Sequence, residues 1–151
     1  EDLVVLDLYA GTGALGIEAL SRGARHVVFV DSAMPSLAVL SRNLDSLKLT
    51  SSTTTVRSEV VRALKRLSKR PERFDLVFAD PPYDSGELER ALPALLEAGI
   101  LAADARIVVE RSSRQPLDPV AGLELEDERI YGETAIMRFS ASGRADAPAG
   151  G

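Results

Sequence analysis

Asp80-Pro81-Pro82-Tyr83 is the stretch of this sequence with the most definite chemistry. An exocyclic amine on a nucleic-acid base is a poor nucleophile, because its lone pair is delocalised into the ring. Two acceptors placed on the amino hydrogens turn that lone pair toward an electrophile. Asp80 offers one acceptor in its carboxylate and the Pro81 carbonyl offers the other. Pro81 and Pro82 hold this backbone stiff at low entropic cost. Tyr83 presents a flat face on which an extruded base can stack, and Asp80 can take the proton released on transfer. A plain Pro-Pro turn with a packing aromatic is the alternative, and the loop by itself does not exclude it.

Gly11-Thr12-Gly13-Ala14-Leu15-Gly16 matches G-x-G-x-x-G, and Asp31 follows at about the distance expected of a ribose-binding acid. Taken literally, this is a dinucleotide fingerprint. Three features point away from NAD. Asp7 stands just before the loop, where it would repel a pyrophosphate but can attract the ammonium of a methionine moiety, directly or through water. The chain is short for a dehydrogenase. Hydride transfer has no use for Asp-Pro-Pro-Tyr. Methyl transfer from S-adenosylmethionine uses both motifs, and a sulfonium donor needs no metal.

These residues need elements to position them. Apolar runs at Leu3–Tyr9, His26–Val30, Phe74–Ala79 and Ala105–Glu110 predict buried strands, and Thr53–Arg57 is β-rich in type. Helical spacing of Ala14, Leu15, Ile17, Ala19 and Leu20, ending at Gly23, predicts a first helix. Leu37, Leu40, Leu44 and Leu47 predict a second over 35–47, and Val60, Val61, Leu64 and Leu67 a third. A fourth covers 86–98, with Pro93 positioned to kink it. Segments 123–131 and 134–140 form a hairpin turning near Gly132. Alternating strands and helices predict an α/β sandwich with a mostly parallel, doubly wound sheet. Its ligands belong at the carboxyl ends of the strands, where Asp7–Gly13, Asp31, Glu59 and Asp80–Tyr83 all fall. Residues 1–140 make one domain, and 141–151 are expected to be a disordered tail.

The chain has 151 residues, a net charge of −5, one histidine and no cysteine. Thiolate chemistry is excluded, and His26 alone builds no metal site. No apolar run is long enough to span a bilayer, so a cytoplasmic protein is expected; a monomer is expected as well. Six basic residues within 60–73 (Arg62, Lys65, Arg66, Lys69, Arg70, Arg73) recur at helical spacing. They read as a solvated face or as a phosphate-contacting stripe. Glu110 and Arg111 end the fifth strand on the active edge, where they line a base pocket or pair with neighbours.

VLDLYAGTGALGIEALSRGA (5–24), VVFVD (27–31), FDLVFADPPY (74–83) and RIYGETAIMRF (129–139) resemble the bacterial 16S rRNA guanine-N(2) methyltransferase family. The resemblance implies a Rossmann-like class I S-adenosylmethionine-dependent methyltransferase fold, with three layers and a C-terminal antiparallel hairpin. It implies cofactor contacts from Asp7, Tyr9, Ala10, Gly11, Thr12 and Gly13, with Asp31 and Ser32 at the ribose, Glu59 and Val60 at the adenine, and Asp80 beside them. It implies Asp80, Pro81, Pro82 and Tyr83 as the catalytic loop, and a guanine 2-amino group in 16S rRNA as the substrate, within the small ribosomal subunit or an assembly intermediate. Such proteins carry a basic amino-terminal stretch ahead of the first strand, and it implies that RNA capture rests partly on that stretch. Amino methylation of DNA adenine or a protein glutamine, a non-catalytic cofactor-binding module and, last, an NAD oxidoreductase remain as other readings.

Overall fold

A computed structural model describes residues 2–83 and 85–141. Residues 142–151 of the expected tail, and Asp84 next to Tyr83, lie outside the described residues. The elements run β1 (Val4–Leu8), α1 (Ala14–Ser21), β2 (His26–Asp31), α2 (Met34–Ser46), β3 (Thr53–Arg57), α3 (Val60–Leu67), β4 (Phe74–Ala79), α4 (Glu87–Ala98), β5 (Leu101–Ser112), β6 (Glu124–Tyr131) and β7 (Thr134–Ser140). The strands form one sheet in the order β3-β2-β1-β4-β5-β7-β6. β1 through β5 pair in parallel, while β7 runs antiparallel between β5 and β6. The strand order reverses between β1 and β4, so the crevice at their carboxyl ends is the expected ligand site.

The layers follow from side-chain alternation on buried strands. Val4, Leu6 and Leu8 of β1 face α3 and α4, packing with Val60, Leu64, Leu92 and Leu95. Val5 faces the opposite side, with Leu37, Leu40 and Leu44 of α2 and Leu20 of α1. The result is the expected α/β/α sandwich. α1 and α2 cover β1 and β2, and Phe78, Val108 and Ile136 beyond them are half-buried.

The bounds of β5 differ from the sequence reading, while α4 matches it. β5 begins at Leu101 rather than Ala105, because pairing with β4 shifts register between Phe74 and Leu76 and accommodates Ala102, Ala103 and Asp104 as an irregularity. These small and polar residues carry no strand signal. Pro93 lies inside α4, and the helix runs on to Ala98.

Candidate active site

The chain leaves β1 through Tyr9, which adopts a left-handed backbone (φ 60°), and reaches α1 through Gly11 and Gly13, both at positive φ. The glycines have different tasks. A Cβ at Gly13 would lie 2.2 Å from Leu40 Cδ1, and one at Gly16 would lie 2.3 Å from Phe29 Cε1. These two let α1 approach the sheet and α2. Gly11 has nothing within 4 Å of its Cβ position, so its open side is free for a ligand. Gly11 N–H donates to Asp31 Oδ2 at 2.8 Å, and Ala33 N–H donates to Asp31 Oδ1 at 2.8 Å. One carboxylate thus ties the glycine loop to the end of β2.

Asp7 stands behind this loop. It is 2% exposed and accepts the Gly16 N–H at 3.0 Å. Burial pushes its pKa up to about 7 against the pull of that hydrogen bond, with the Asp80 and Asp31 charges adding to the rise. Asp7 therefore shapes the glycine loop from below and does not form cavity wall.

In front of the loop is a cavity of about 530 Å³, within the usual range for a small-molecule site. Its wall includes the expected residues Tyr9, Asp31, Ser32, Glu59, Val60, Asp80, Pro81, Pro82 and Tyr83. Asp7, Ala10, Gly11, Thr12 and Gly13 are not in that wall. They build the turn beside it. Ala33, Ser58, Ser85 and Glu87 line the cavity without having been singled out in the sequence. Glu87 accepts the Tyr9 hydroxyl at 2.9 Å and holds Arg90 at 2.7 Å. Arg90 also lies 3.7 Å from Glu59. Burial and the Glu87 acceptor raise the Tyr9 pKa far above the usual phenol range, so its proton stays on the hydroxyl. The wall carries four carboxylates (Asp31, Glu59, Asp80, Glu87) and no Lys, Arg or His among the described residues. A cation is favoured there and a pyrophosphate is not.

The Asp80-Pro81-Pro82-Tyr83 loop closes one side of this cavity. Pro81 is buried, whereas Asp80 is exposed. Partial enclosure pushes the Asp80 pKa up to about 6, and the neighbouring Glu110 carboxylate adds to the rise. The Tyr83 hydroxyl sits 3.0 Å from both the Glu133 carbonyl and Thr134 Oγ1. The ring itself remains 54% exposed. The turn between β6 and β7 thereby tethers a tyrosine that stays largely exposed.

Glu110 and Arg111 both line a cleft beside the loop, with Pro81, Pro82 and Tyr83, and Arg111 is also tied to β6. Its guanidinium pairs with Glu128 and donates to the Ser112 carbonyl at 2.8 Å. The basic stripe does not form one helix face, because α3 ends at Leu67. Arg70 pairs with Glu72 at 3.2 Å, and Arg73 bonds the Glu72 carbonyl at 3.0 Å. His26 is held by Thr54 Oγ1 at 2.8 Å.

The comparisons with known proteins show the family and agree with the fold. Residues 1–140 match the family described as Conserved hypothetical protein 95. YlbH of Bacillus subtilis is 37% identical over 139 residues, covering 91% of this chain and 76% of that protein. Ribosomal RNA small subunit methyltransferase D of Escherichia coli K12 is 34% identical over 149 residues, covering 97% of this chain and 73% of that protein. A solved structure of a conserved hypothetical protein from Streptococcus pyogenes superposes with a TM-score of 0.84 at 32% identity, covering 93% of this chain and 87% of that one.

Proposed function

This chain belongs to the family described as Conserved hypothetical protein 95 and is a relative of ribosomal RNA small subunit methyltransferase D, and from that premise we propose that it is an S-adenosylmethionine-dependent rRNA methyltransferase acting on the 2-amino group of a guanine in 16S rRNA. The observation that carries this reading is the acid-walled cavity with Asp-Pro-Pro-Tyr along one side.

The cavity fits the cofactor by charge. Its carboxylates suit a ligand bearing a sulfonium and an ammonium. Each Asp31 oxygen is engaged by one backbone N–H and keeps a further lone pair for a ribose hydroxyl. Glu59 and Val60, at the start of α3, line the same cavity and take the adenine in this reading. S-adenosylmethionine bound there supplies an electrophilic methyl group.

This chain's residues perform the remaining work. Asp80 and the Pro81 carbonyl accept the two amino hydrogens and aim the lone pair. Tyr83, tethered at its hydroxyl, offers its ring to a base taken out of its stack. Buried Pro81 and the Tyr83 tether hold the loop in place before substrate arrives, so little ordering remains to be done on binding. With a pKa of about 6, Asp80 is ionised at neutral pH yet basic enough to accept a proton. Residues 1–140 act in this reading as one catalytic domain.

Mass mapping of methylated nucleosides in small-subunit rRNA tests the proposal. Cells lacking the gene should lose one N2-methylguanosine. The natural gene should restore it, and a copy carrying Asp80→Ala should not. Unchanged N2-methylguanosine content would refute the substrate assignment. Methylation of adenine in its place would redirect it.

A further inference from the structure

β4 and β5 run in parallel with Ala79 opposite Val109, so their next residues, Asp80 and Glu110, emerge side by side at the carboxyl edge. The two carboxylates line the same small recess with Phe78, Val108 and Ile136. Glu110 also lines the cleft under Pro81, Pro82 and Tyr83. Neither carboxylate has a salt-bridge partner among the described residues. The nearby cations are already engaged. Arg111 holds Glu128, and Arg129 and Arg138 both hold Asp127, at 3.3 and 3.5 Å. The residue opposite Glu110 on β7 is Ile136. The other groups converging on Asp80 are themselves acids: Asp7 on β1, Asp31 on β2 and Glu87 on α4. The Tyr83 hydroxyl is turned to the β6–β7 turn.

We propose that Glu110 is a positioning residue for the reaction, the partner with which Asp80 shares the proton that leaves the substrate amine. This rests on the methyltransferase reading. Transfer forms an N–C bond and breaks the donor's S–C bond, and the bonding pair of the latter stays on sulfur. The amine nitrogen then carries the positive charge. Its N–H electron pair returns to nitrogen, and the proton passes to the Asp80 carboxylate. A lone carboxylate near its ordinary pKa is a weak base for this step. A second negative charge beside it raises its proton affinity, and the resulting carboxylic acid donates to that neighbour in a short, charge-assisted bond. The pair ends as one acid and one carboxylate and returns the proton to solvent after the product leaves. Glu110 is not in the wall of the larger cavity, and in this proposal it acts through Asp80.

The titration of Asp80 tests this in the ligand-free protein. Carboxyl-detected NMR on ¹³C-labelled protein should show two coupled steps in the natural chain. In Glu110→Gln and in Glu110→Ala the Asp80 midpoint should fall by about one pH unit. Single-turnover methylation should show the acid limb of the pH–rate profile moving down by the same amount, with S-adenosylhomocysteine affinity unchanged. An Asp80 midpoint that both variants leave in place would overturn the shared proton. If the natural protein transfers no methyl group while the Asp80 midpoint still falls in both Glu110 variants, the methyltransferase reading fails and the pairing of the two carboxylates stands.

Discussion

Replacing Asp7 with Asn should change how stability depends on pH. The Asp7 carboxyl is 2% exposed, and its pKa is about 7 in the folded protein. In the unfolded chain the same group titrates at about 4. Between these values the folded state holds a proton that the unfolded state has released, so stability falls as pH rises. The loss begins above a pH of about 4 and is complete above about 7. At about 1.4 kcal/mol per pKa unit, the full loss is about 4 kcal/mol. Some of it is already incurred at pH 5, which leaves about 2–3 kcal/mol between pH 5 and pH 8.

Asn at this position has no proton to lose. Its side-chain oxygen can still accept the Gly16 N–H, while its NH₂ group is buried without a partner at a cost of about 1–3 kcal/mol. That cost is the same at every pH and cancels when the variant is compared with the natural chain at two pH values. Urea unfolding of both ligand-free proteins at pH 5 and pH 8 provides the comparison. The stability of Asp7→Asn relative to the natural chain should improve by about 2–3 kcal/mol from the lower to the higher pH. A difference that does not change with pH would refute the reasoning, since Asp7 would then have the same charge in both states throughout.

The glycines of the loop should separate by task. Gly13→Ala and Gly16→Ala should each lower stability in thermal unfolding by about 1–3 kcal/mol, through collision with Leu40 and Phe29. Gly11→Ala should cost only about 1–2 kcal/mol, for its left-handed backbone, yet weaken S-adenosylhomocysteine binding the most in calorimetry. Asp31→Ala should weaken the same binding by about 1–3 kcal/mol, and the natural chain should bind no NADH; tighter binding of NADH would reverse the cofactor assignment. Tyr83→Phe keeps the ring but loses its tether and should slow single-turnover methylation by about 0.5–1.5 kcal/mol. Thr134→Val should act in the same direction and less than additively with it, whereas Tyr83→Ala should also lose base stacking, about 1–3 kcal/mol more.

The strands and the helices around this edge were legible because each carries a pattern that only one element satisfies. VVLDL, HVVFVD and FDLVFA are predominantly apolar runs, as strands buried on both faces must be, and the pattern bounds each within a residue or two. The start of β5 was not legible, because Ala102, Ala103 and Asp104 lack that pattern and are carried by the bulge against β4. The two tethers of the site were equally hidden. Tyr9 meets Glu87 across 78 positions and Tyr83 meets Glu133 across 50, and contacts so distant in sequence leave no local signature. Helical spacing misled at the basic stripe, since it continued in register past the point where α3 stops.

Asp7 shows how far alternation reaches. Val5 packs toward α1 and α2, and Asp7, two residues on, must point to the same side. That side is covered by α1, and the carboxylate accepts the Gly16 N–H there. Its charge nevertheless acts on the cavity, because Asp80 and Asp31 are close enough to raise its pKa. In the ligand-free protein these acids repel one another, and the buried one favours its protonated form. A cation in the cavity removes part of that repulsion and draws the Asp7 pKa down. Binding of a cationic ligand near pH 7 should therefore release protons, and the buffer dependence of the calorimetric enthalpy measures how many. A neutral analogue of the same shape should release fewer. Equal release by both would mean that the acids at the ends of β1, β2 and β4 do not sense the charge of what binds between them.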